Sequence, residues 1–254
     1  MTGLTSISYR PHSVEEIIAL AVKCGLTGIE WGGDVHVPAG DVIIATAVAA
    51  QTKAAGLRVL SYGSYYKLGQ QQGTQAIAAA FAPVLASAMA LGAPLIRIWA
   101  GGCGSATCAE VMRAEWVTEL KQVCALAAEQ GLKVGLEYHR NTLTDCHQSA
   151  ACLLEAAACD NLYTYWQMNP DLPFETHLVE IAALKHAICG VHVFHWVKGD
   201  VRETLAEHIP EWNAYLAALK GLEIPYILEF VKDDTFAQGE VEAASLKALL
   251  AQAK

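Results

Sequence analysis

The same order of structural signals occurs seven times in this chain of 254 residues: a helix-like run, a small turn residue and a short apolar strand. Eight strands that alternate with helices are typical of a closed parallel barrel, and the chain length matches one such domain. We therefore predict a single (β/α)8 TIM barrel of the α/β class over residues 1–254. The first strand reads LTSISY, and the repeats read KCGLTGIEW, AAGLRVLSY, LGAPLIRIW, EQGLKVGLEY, CDNLYTYWQ, ICGVHVFHW and KGLEIPYILEF.

The predicted strands are short and almost continuously apolar, as a sheet buried on both faces requires. Irregular segments that follow strands are longer than those that precede them, which indicates one elaborated face. In a parallel barrel this face lies at the carboxyl ends of the strands, and we expect the active site there. The predicted strands are Leu4–Tyr9, Gly28–Trp31, Arg58–Tyr62, Leu95–Trp99, Lys133–His139, Leu162–Gln167, Gly190–His195 and Pro225–Phe230.

The composition narrows the classes of partner and the cellular compartment. A net charge of -9 repels phosphate backbones, so we expect no nucleic-acid partner. The eight cysteines form no C-x-x-C pair and the chain opens directly with a strand, so we expect reduced thiols and a cytoplasmic location. The Ala-rich run Ala76–Ala93 comes nearest to a membrane span, and we interpret it as a barrel helix, with no membrane partner.

Two glutamates stand at the ends of the fifth and eighth predicted strands. Because side chains alternate along a strand, Glu137 and Glu229 each fall on a face that can point into the barrel. Their strands are three positions apart around a ring of eight, so we expect the two carboxylates to face each other across the barrel mouth. The competing interpretation is that they are neutralised by ion pairs with Arg97 or Arg140.

A histidine and a glutamine at neighbouring strand ends complete a candidate metal site. Because side chains alternate along a strand, His192 lies on the same face as Gly190 and His195 lies on the opposite face, which favours His192 as the imidazole ligand. The sixth predicted strand ends at Gln167. Two carboxylates, an imidazole and an amide oxygen suit Mn²⁺, Mg²⁺ or Co²⁺, and Zn²⁺ is an alternative. Two buried glutamates without a cation would be costly, so we predict one divalent metal ion. The predicted ligands are Glu137, Gln167, His192 and Glu229.

Other polar side chains near strand ends are candidates for binding the substrate. In the second strand and its loop, Glu30 and His36 either bind hydroxyl groups or order the loop. His139 lies beside the first catalytic glutamate, and Lys198 either holds a hydroxyl or phosphate group or is solvated. The tyrosines of SYGSYY either wall the pocket or fill the barrel rim. The predicted substrate-binding residues are Glu30, His36, Tyr62, Arg97, His139, His195 and Lys198.

Five segments make the chain similar to the xylose-isomerase-like TIM-barrel superfamily of sugar phosphate isomerases and epimerases. They read GIEWG, SYGSYY, GLEYHRNTLTD, VHVFHW and ILEF at the second, third, fifth, seventh and eighth strands. The resemblance implies one divalent metal held by Glu, Asp, His and Glu from the fifth to the eighth strands. The sixth strand departs from this pattern, because YTYWQMNPD places Gln167 where the family has Asp. Asp171 could substitute for it if its loop folds back.

The resemblance and the candidate site together predict a metal-dependent isomerase or epimerase of a sugar or sugar phosphate. Its reaction would be proton transfer beside a carbonyl through an enediolate, with Glu137 and Glu229 as the two bases. A lyase acting on a keto-inositol or a 3-keto-glycoside is the alternative, because it begins with the same proton abstraction. A barrel that binds a sugar without chemistry is a third interpretation, and the negative charge disfavours an AP endonuclease. We expect a small carbohydrate as partner, and exposed barrel helices are compatible with a homo-oligomer.

Overall fold

The eight predicted strands close into one parallel barrel in the computed structural model, which describes residues 1–253. The barrel strands are β1 (Thr2–Thr5), β2 (Gly28–Gly32), β3 (Arg58–Lys67), β4 (Leu95–Trp99), β5 (Lys133–Leu136), β6 (Leu162–Trp166), β7 (Ile188–Val193) and β10 (Tyr226–Leu228). A separate antiparallel hairpin consists of β8 (His195–Val197) and β9 (Val201–Glu203). Hydrogen-bonded neighbours follow the order β1-β10-β7-β6-β5-β4-β3-β2, and β2 closes on β1. The prediction of a TIM barrel is confirmed.

Helices follow the barrel strands and form the outer layer. They are α1 (Val14–Lys23), α2 (Val42–Ala54), α3 (Thr74–Leu91), α4 (Glu110–Ala128), α5 (His147–Ala157), α6 (Phe174–Leu184), α7 (Ile209–Ala218) and α8 (Phe236–Gln252). Helix α1 begins at a capping box, because Ser13 Oγ accepts from the Glu16 amide while the Glu16 carboxylate accepts from the Ser13 amide. By length and composition α3 could cross a membrane, and in this structure it packs between α2 and α4.

Some strand ends differ from the sequence prediction. The first strand ends at Thr5, and Ser6–Tyr9 forms a 3-10 turn where the prediction continued the strand to Tyr9. The seventh strand ends at Val193, so that His195 belongs to the hairpin. Glu137 and Glu229 lie one residue beyond their strands. Their amides still donate to the carbonyls of the adjacent strands, at 2.9 and 3.1 Å, which keeps their side chains in the alternation of the barrel.

The barrel interior is filled by a floor of apolar side chains, which consists of Leu60, Leu95, Tyr165 and Ile227. Glycines make room for the Tyr165 ring: a Cβ atom at Gly135 or Gly190 would lie 2.9 or 3.0 Å from ring carbons. The strand faces predicted to point inward are therefore the ones that do so. A larger substituent at either glycine would displace the tyrosine that supports the layer above it.

Helix α6 carries a buried carboxyl group, that of Glu180, on the face that packs against the barrel. Glu180 has no exposed surface, and among the described residues neither of its carboxyl oxygens has a hydrogen-bond partner. The Tyr138 hydroxyl and the Trp166 indole nitrogen lie near it and are also unpartnered. Burial raises the pKa of Glu180 to about 7, although Tyr138 and Trp166 act in the opposite direction. The folded protein therefore holds a proton on this carboxyl in mildly acidic solution.

We expect Glu180 to make the folded protein less stable as the pH rises. The folded state keeps the proton up to about pH 7, whereas an ordinary glutamate releases it near 4.5. The stabilisation that comes from this retained proton is fully present below pH 4.5 and is lost as the pH rises through 7. At about 1.4 kcal/mol per pH unit, the loss is about 3 kcal/mol.

Denaturant unfolding of Glu180→Gln should lack this pH dependence, and above pH 7 the variant should be more stable than the wild type. Glu175→Gln, on the exposed face of the same helix, is the matched control and should keep the wild-type slope. An unchanged slope in Glu180→Gln would contradict the assignment.

Candidate active site

Six buried polar side chains form one layer directly above the barrel floor. Each stands two residues beyond an inward-facing floor position or glycine, for example Gln167 beyond Tyr165 and Glu229 beyond Ile227. Because strand side chains repeat every two residues, this spacing points them the same way, one step nearer the carboxyl ends. The polar layer consists of Glu30, Arg97, Glu137, Gln167, His192 and Glu229.

A cavity of about 230 Å³ opens above the polar layer at the barrel mouth. Its inner end is formed by Arg97, Glu137, Gln167 and Glu229. Its walls combine aromatic rings with cationic and amide groups from the loops that follow the strands. These wall residues include Arg10, Tyr65, Trp99, His139, Arg140, Asn169, Phe194, Trp196 and Phe230. The arrangement offers apolar faces for a ring and polar groups for its substituents.

Glu30 is the centre of a hydrogen-bond network beneath the cavity. It accepts from Ser61 Oγ at 2.6 Å, the Tyr165 hydroxyl at 3.0 Å and Arg97 Nε at 3.1 Å, and it lies 3.2 Å from His192 Nε2. Burial raises the pKa of Glu30, but Arg97 and His192 outweigh it and hold that pKa far below its usual value. The carboxylate is therefore ionised and fully engaged. It is not a cavity-lining group, contrary to the prediction that it binds substrate.

His192 connects Glu30 to the groups at the inner end of the cavity. Its Nδ1 atom lies 2.8 Å from Gln167 Oε1 and 3.3 Å from Glu229 Oε2, on the opposite side of the ring from Glu30. Burial lowers the pKa of His192, but the carboxylates of Glu229 and Glu30 outweigh it and raise the pKa overall. A carboxylate on one ring nitrogen orients the other toward its partner, as in metal sites built on histidine.

The two predicted catalytic glutamates lie in different electrostatic surroundings. Glu137 forms a buried ion pair with Arg97, which also pairs with Glu30. The alternative drawn from the sequence, a glutamate neutralised by Arg97, is thus found at Glu137. Within residues 1–253 Glu229 forms no ion pair with an arginine, and its Oε1 atom is buried without a hydrogen-bond partner. Burial and the nearby Glu137 raise the pKa of Glu229 to about 7, although His192 and Arg97 act against them.

The donor set at the inner end of the cavity fits a divalent cation. One ligand atom each from Glu137, His192 and Glu229 lies within 4.8 Å of the others, and Gln167 Oε1 contacts the same face of His192. The unpartnered Glu229 Oε1 supplies an acceptor that a cation would satisfy. Asp171 does not join this group, because it forms an exposed ion pair with Arg140 at 3.3 Å.

Of the predicted substrate-binding residues, Arg97 and His139 line the cavity. Tyr62 points away from it, and its hydroxyl donates to the Val37 carbonyl at 2.8 Å. The reason is a bulge between β2 and β3, where the register shifts and Ser61, rather than Tyr62, faces Glu30. Sequence alternation alone does not reveal such an insertion.

Three further predicted residues lie outside the cavity lining. His36 is buried in the β2–α2 loop, with Nε2 3.0 Å from the His12 carbonyl. His195 stacks on His208 with ring centroids 3.4 Å apart. Lys198 is exposed in the turn of the β8–β9 hairpin. The hairpin turns these last two residues away from the strand end, which explains their placement.

Two cavity rings are held in an unusual backbone conformation. Tyr65 and Phe230 have φ angles of 59° and 43°, in the left-handed region that disfavours residues with a side chain. Such strain costs on the order of 1–3 kcal/mol per residue, and it persists only where the surroundings enforce it. Arg10 joins the two, since it donates to the Tyr65 hydroxyl and lies 6.0 Å from the Phe230 ring centroid. In the sequence, the SYGSYY and ILEF segments include Tyr65 and Phe230, but no motif pointed to Arg10.

Comparison with known proteins identifies the class that the fold and site define. A family model described as a xylose isomerase-like TIM barrel matches residues 18–249. The chain belongs to this family. A segment of 67 residues is 40% identical to a 3-dehydroshikimate dehydratase of Bacillus anthracis, and it covers 26% of this chain and 24% of that relative.

Solved structures share the whole fold at low sequence identity. A probable 3-DHS dehydratase of Bacillus anthracis superposes with a TM-score of 0.84 at 20% identity, covering 97% of this chain and 99% of its own. A D-psicose 3-epimerase of Clostridium cellulolyticum H10 has a TM-score of 0.73 at 15% identity, over 98% and 99% of the two chains. An L-ribulose 3-epimerase has a TM-score of 0.75 at 16% identity, over 99% and 95%. These similarities establish the fold and leave the substrate to the site.

Proposed function

We propose that the protein is a metal-dependent isomerase or epimerase of a sugar or sugar phosphate. The observation that carries this proposal is the cluster of Glu137, His192 and Glu229, whose ligand atoms lie within 4.8 Å of one another. Both glutamates line the cavity, so a bound substrate would meet them directly. Epimerases with the same fold support the reaction class.

The chain supplies two carboxyl groups for moving a proton at the carbon beside a carbonyl. Glu137, held by Arg97, is the candidate base, and Glu229, whose pKa burial raises to about 7, is the candidate acid. His192 is oriented by Glu30 so that Nδ1 faces the cluster. A divalent cation, when bound, would polarise the carbonyl and stabilise the enediolate. The aromatic walls would exclude water from that anion.

A dehydratase is the second candidate, and the comparisons favour it specifically. Both the curated relative and a structure with a TM-score of 0.84 carry the name of a 3-dehydroshikimate dehydratase or a probable one. Elimination begins with the same proton abstraction by a carboxylate. It differs in the next step, where the acid protonates a departing hydroxyl group instead of carbon.

Incubation with Mn²⁺ in D₂O would separate these reactions. Keto-sugars, their phosphates and 3-dehydroshikimate would each be followed by NMR and mass spectrometry. Deuterium entering beside the carbonyl with an otherwise unchanged formula supports isomerisation or epimerisation. Loss of water supports the dehydratase. Absence of both with every substrate, together with tight sugar binding, would favour a barrel without chemistry.

Restoring the carboxylate typical of the family should strengthen metal binding. We expect Gln167→Asp to raise the affinity for Mn²⁺, measured by calorimetry, by at least about tenfold, because it adds a negative charge beside His192. Asn169→Asp adds the same charge to the cavity wall and is the matched control. An equal gain in both variants would mean that general charge, not ligation, is responsible.

A further inference from the structure

Arginine side chains are concentrated at the cavity of this acidic protein. The chain has six arginines and a net charge of -9, yet three of the six, Arg10, Arg97 and Arg140, line the barrel-mouth cavity. A cavity with low-dielectric walls concentrates the field of the charges that face it. Three carboxylates, those of Glu137, Asp145 and Glu229, line the same cavity, so an anion can bind only where an arginine is not already neutralised.

The three arginines differ in how far the protein already neutralises them. Arg97 is paired with two glutamates within the polar layer. Arg140 lies between Asp171 and Asp200, at 3.3 and 2.7 Å. An anion approaching either of these would meet a group whose positive charge is already exceeded by its partners.

In the described part of the chain, Arg10 has a single carboxylate partner and spare hydrogen-bond donors. Its Nε donates to Asp34, Nη1 to the Ile7 carbonyl at 3.0 Å, and Nη2 to the Tyr65 hydroxyl. A guanidinium has five N–H donors, so within residues 1–253 these contacts leave one on each terminal nitrogen. The side chain is 38% exposed and lines the cavity. Two such donors match the paired oxygens of a carboxylate or phosphate.

The neighbours of Arg10 hold it in place. Tyr65 and Phe230, the two cavity rings with positive φ, contact its guanidinium from different strand ends. A guanidinium fixed in this way loses little side-chain freedom when it binds a ligand, which favours affinity.

We propose that the substrate carries an acidic group, a carboxylate or a phosphate, and that Arg10 binds this group at the cavity wall. The inference rests on the proposed function, because it assumes that the remainder of the same molecule reaches Glu137 and Glu229. It makes Arg10 a residue that determines specificity and separates this site from one built for a neutral sugar.

Equilibrium binding of matched ligands tests this assignment. Calorimetry would compare D-glucuronate, D-glucose 6-phosphate and D-glucose, and also quinate with myo-inositol. We expect at least one acidic ligand to bind about tenfold or more tightly than its neutral counterpart. Comparing the glucuronate with the phosphate ester identifies which acidic group the site prefers.

Variants of Arg10 show whether this residue provides the preference. Arg10→Gln should abolish the advantage of the acidic ligand, and Arg10→Lys should keep part of it. Arg202→Gln is the matched control, since Arg202 also lies over the Phe230 ring, 5.3 Å from its centroid, but does not line the cavity. It should leave the preference unchanged.

Three results would overturn the proposal: neutral ligands binding as well as acidic ones, no acidic ligand binding at millimolar concentration, or an unchanged preference in Arg10→Gln. The readout is binding, so it is independent of turnover. If acidic ligands bound more tightly and this depended on Arg10, but no substrate exchanged a proton in D₂O, the proposed reaction would be refuted and the Arg10 assignment would stand. Proton exchange on neutral sugars without an acidic preference would refute the Arg10 assignment alone.

Discussion

Replacing Glu137 or Glu229 with glutamine is expected to slow deuterium exchange beside the substrate carbonyl by about 10²- to 10⁴-fold. This is the usual contribution of a positioned acid or base to proton transfer. Glutamine keeps the size of the side chain but neither accepts nor delivers the proton. Both residues line the cavity and have carboxyl oxygens within 4.8 Å of the same imidazole, so either loss interrupts the transfer.

Folding and metal binding must be measured beside the rate, because Glu137 also neutralises Arg97. Denaturant unfolding and Mn²⁺ calorimetry on the same variants separate loss of chemistry from loss of structure. Asp171→Asn is the matched control: its carboxylate lies outside the cluster, paired with Arg140, and the exchange rate should change little. Wild-type exchange in both glutamine variants would refute the scheme with two catalytic carboxyl groups.

Glu30→Gln is expected to lower the free energy of unfolding by about 3–5 kcal/mol, the usual cost of removing one partner from a buried ion pair. The variant leaves Arg97 with a single carboxylate and deprives Ser61, Tyr165 and His192 of a charged acceptor. It should also weaken Mn²⁺ binding about 10- to 100-fold, because Glu30 orients His192 from behind.

Two further variants show whether the cost comes from the unpaired charge. Arg97→Met in the wild-type background removes the cation that Glu30 and Glu137 share and should cost at least as much as Glu30→Gln, because it leaves two buried carboxylates without it. Ser61→Ala removes one hydrogen bond to Glu30 and should cost only about 1 kcal/mol. If Glu30→Gln proved no more destabilising than Ser61→Ala, the network would not depend on the charge of Glu30.

The residues of the polar layer could be predicted from the sequence wherever side chains alternate regularly along a strand. Glu137 and Glu229 face the same cavity as expected, and His192, not His195, joins them. Tyr62 departs because a bulge between β2 and β3 shifts the register by one residue. A bulge of this kind depends on how neighbouring strands pair, and that information is not contained in one strand.

The role of Glu30 could not be derived from its position alone. Its strand face places it in the polar layer, but its partners come from residues 31 to 162 positions away along the chain. The same holds for the pairing of Arg97 with Glu137, which strand order and side-chain reach decide together.

By itself the sequence determined the (β/α)8 architecture, the end of the barrel that carries the cavity and the two glutamates that line it. These features follow from local periodicity and from the geometry that any closed parallel barrel shares. Only the tertiary structure decided that Arg97 neutralises Glu137, that Glu30 supports His192 from below, and that Tyr65 and Phe230 hold Arg10. Such contacts join segments that are distant in the sequence. Tyr65 and Phe230 also adopt a backbone conformation that non-glycine residues take up only when their surroundings impose it.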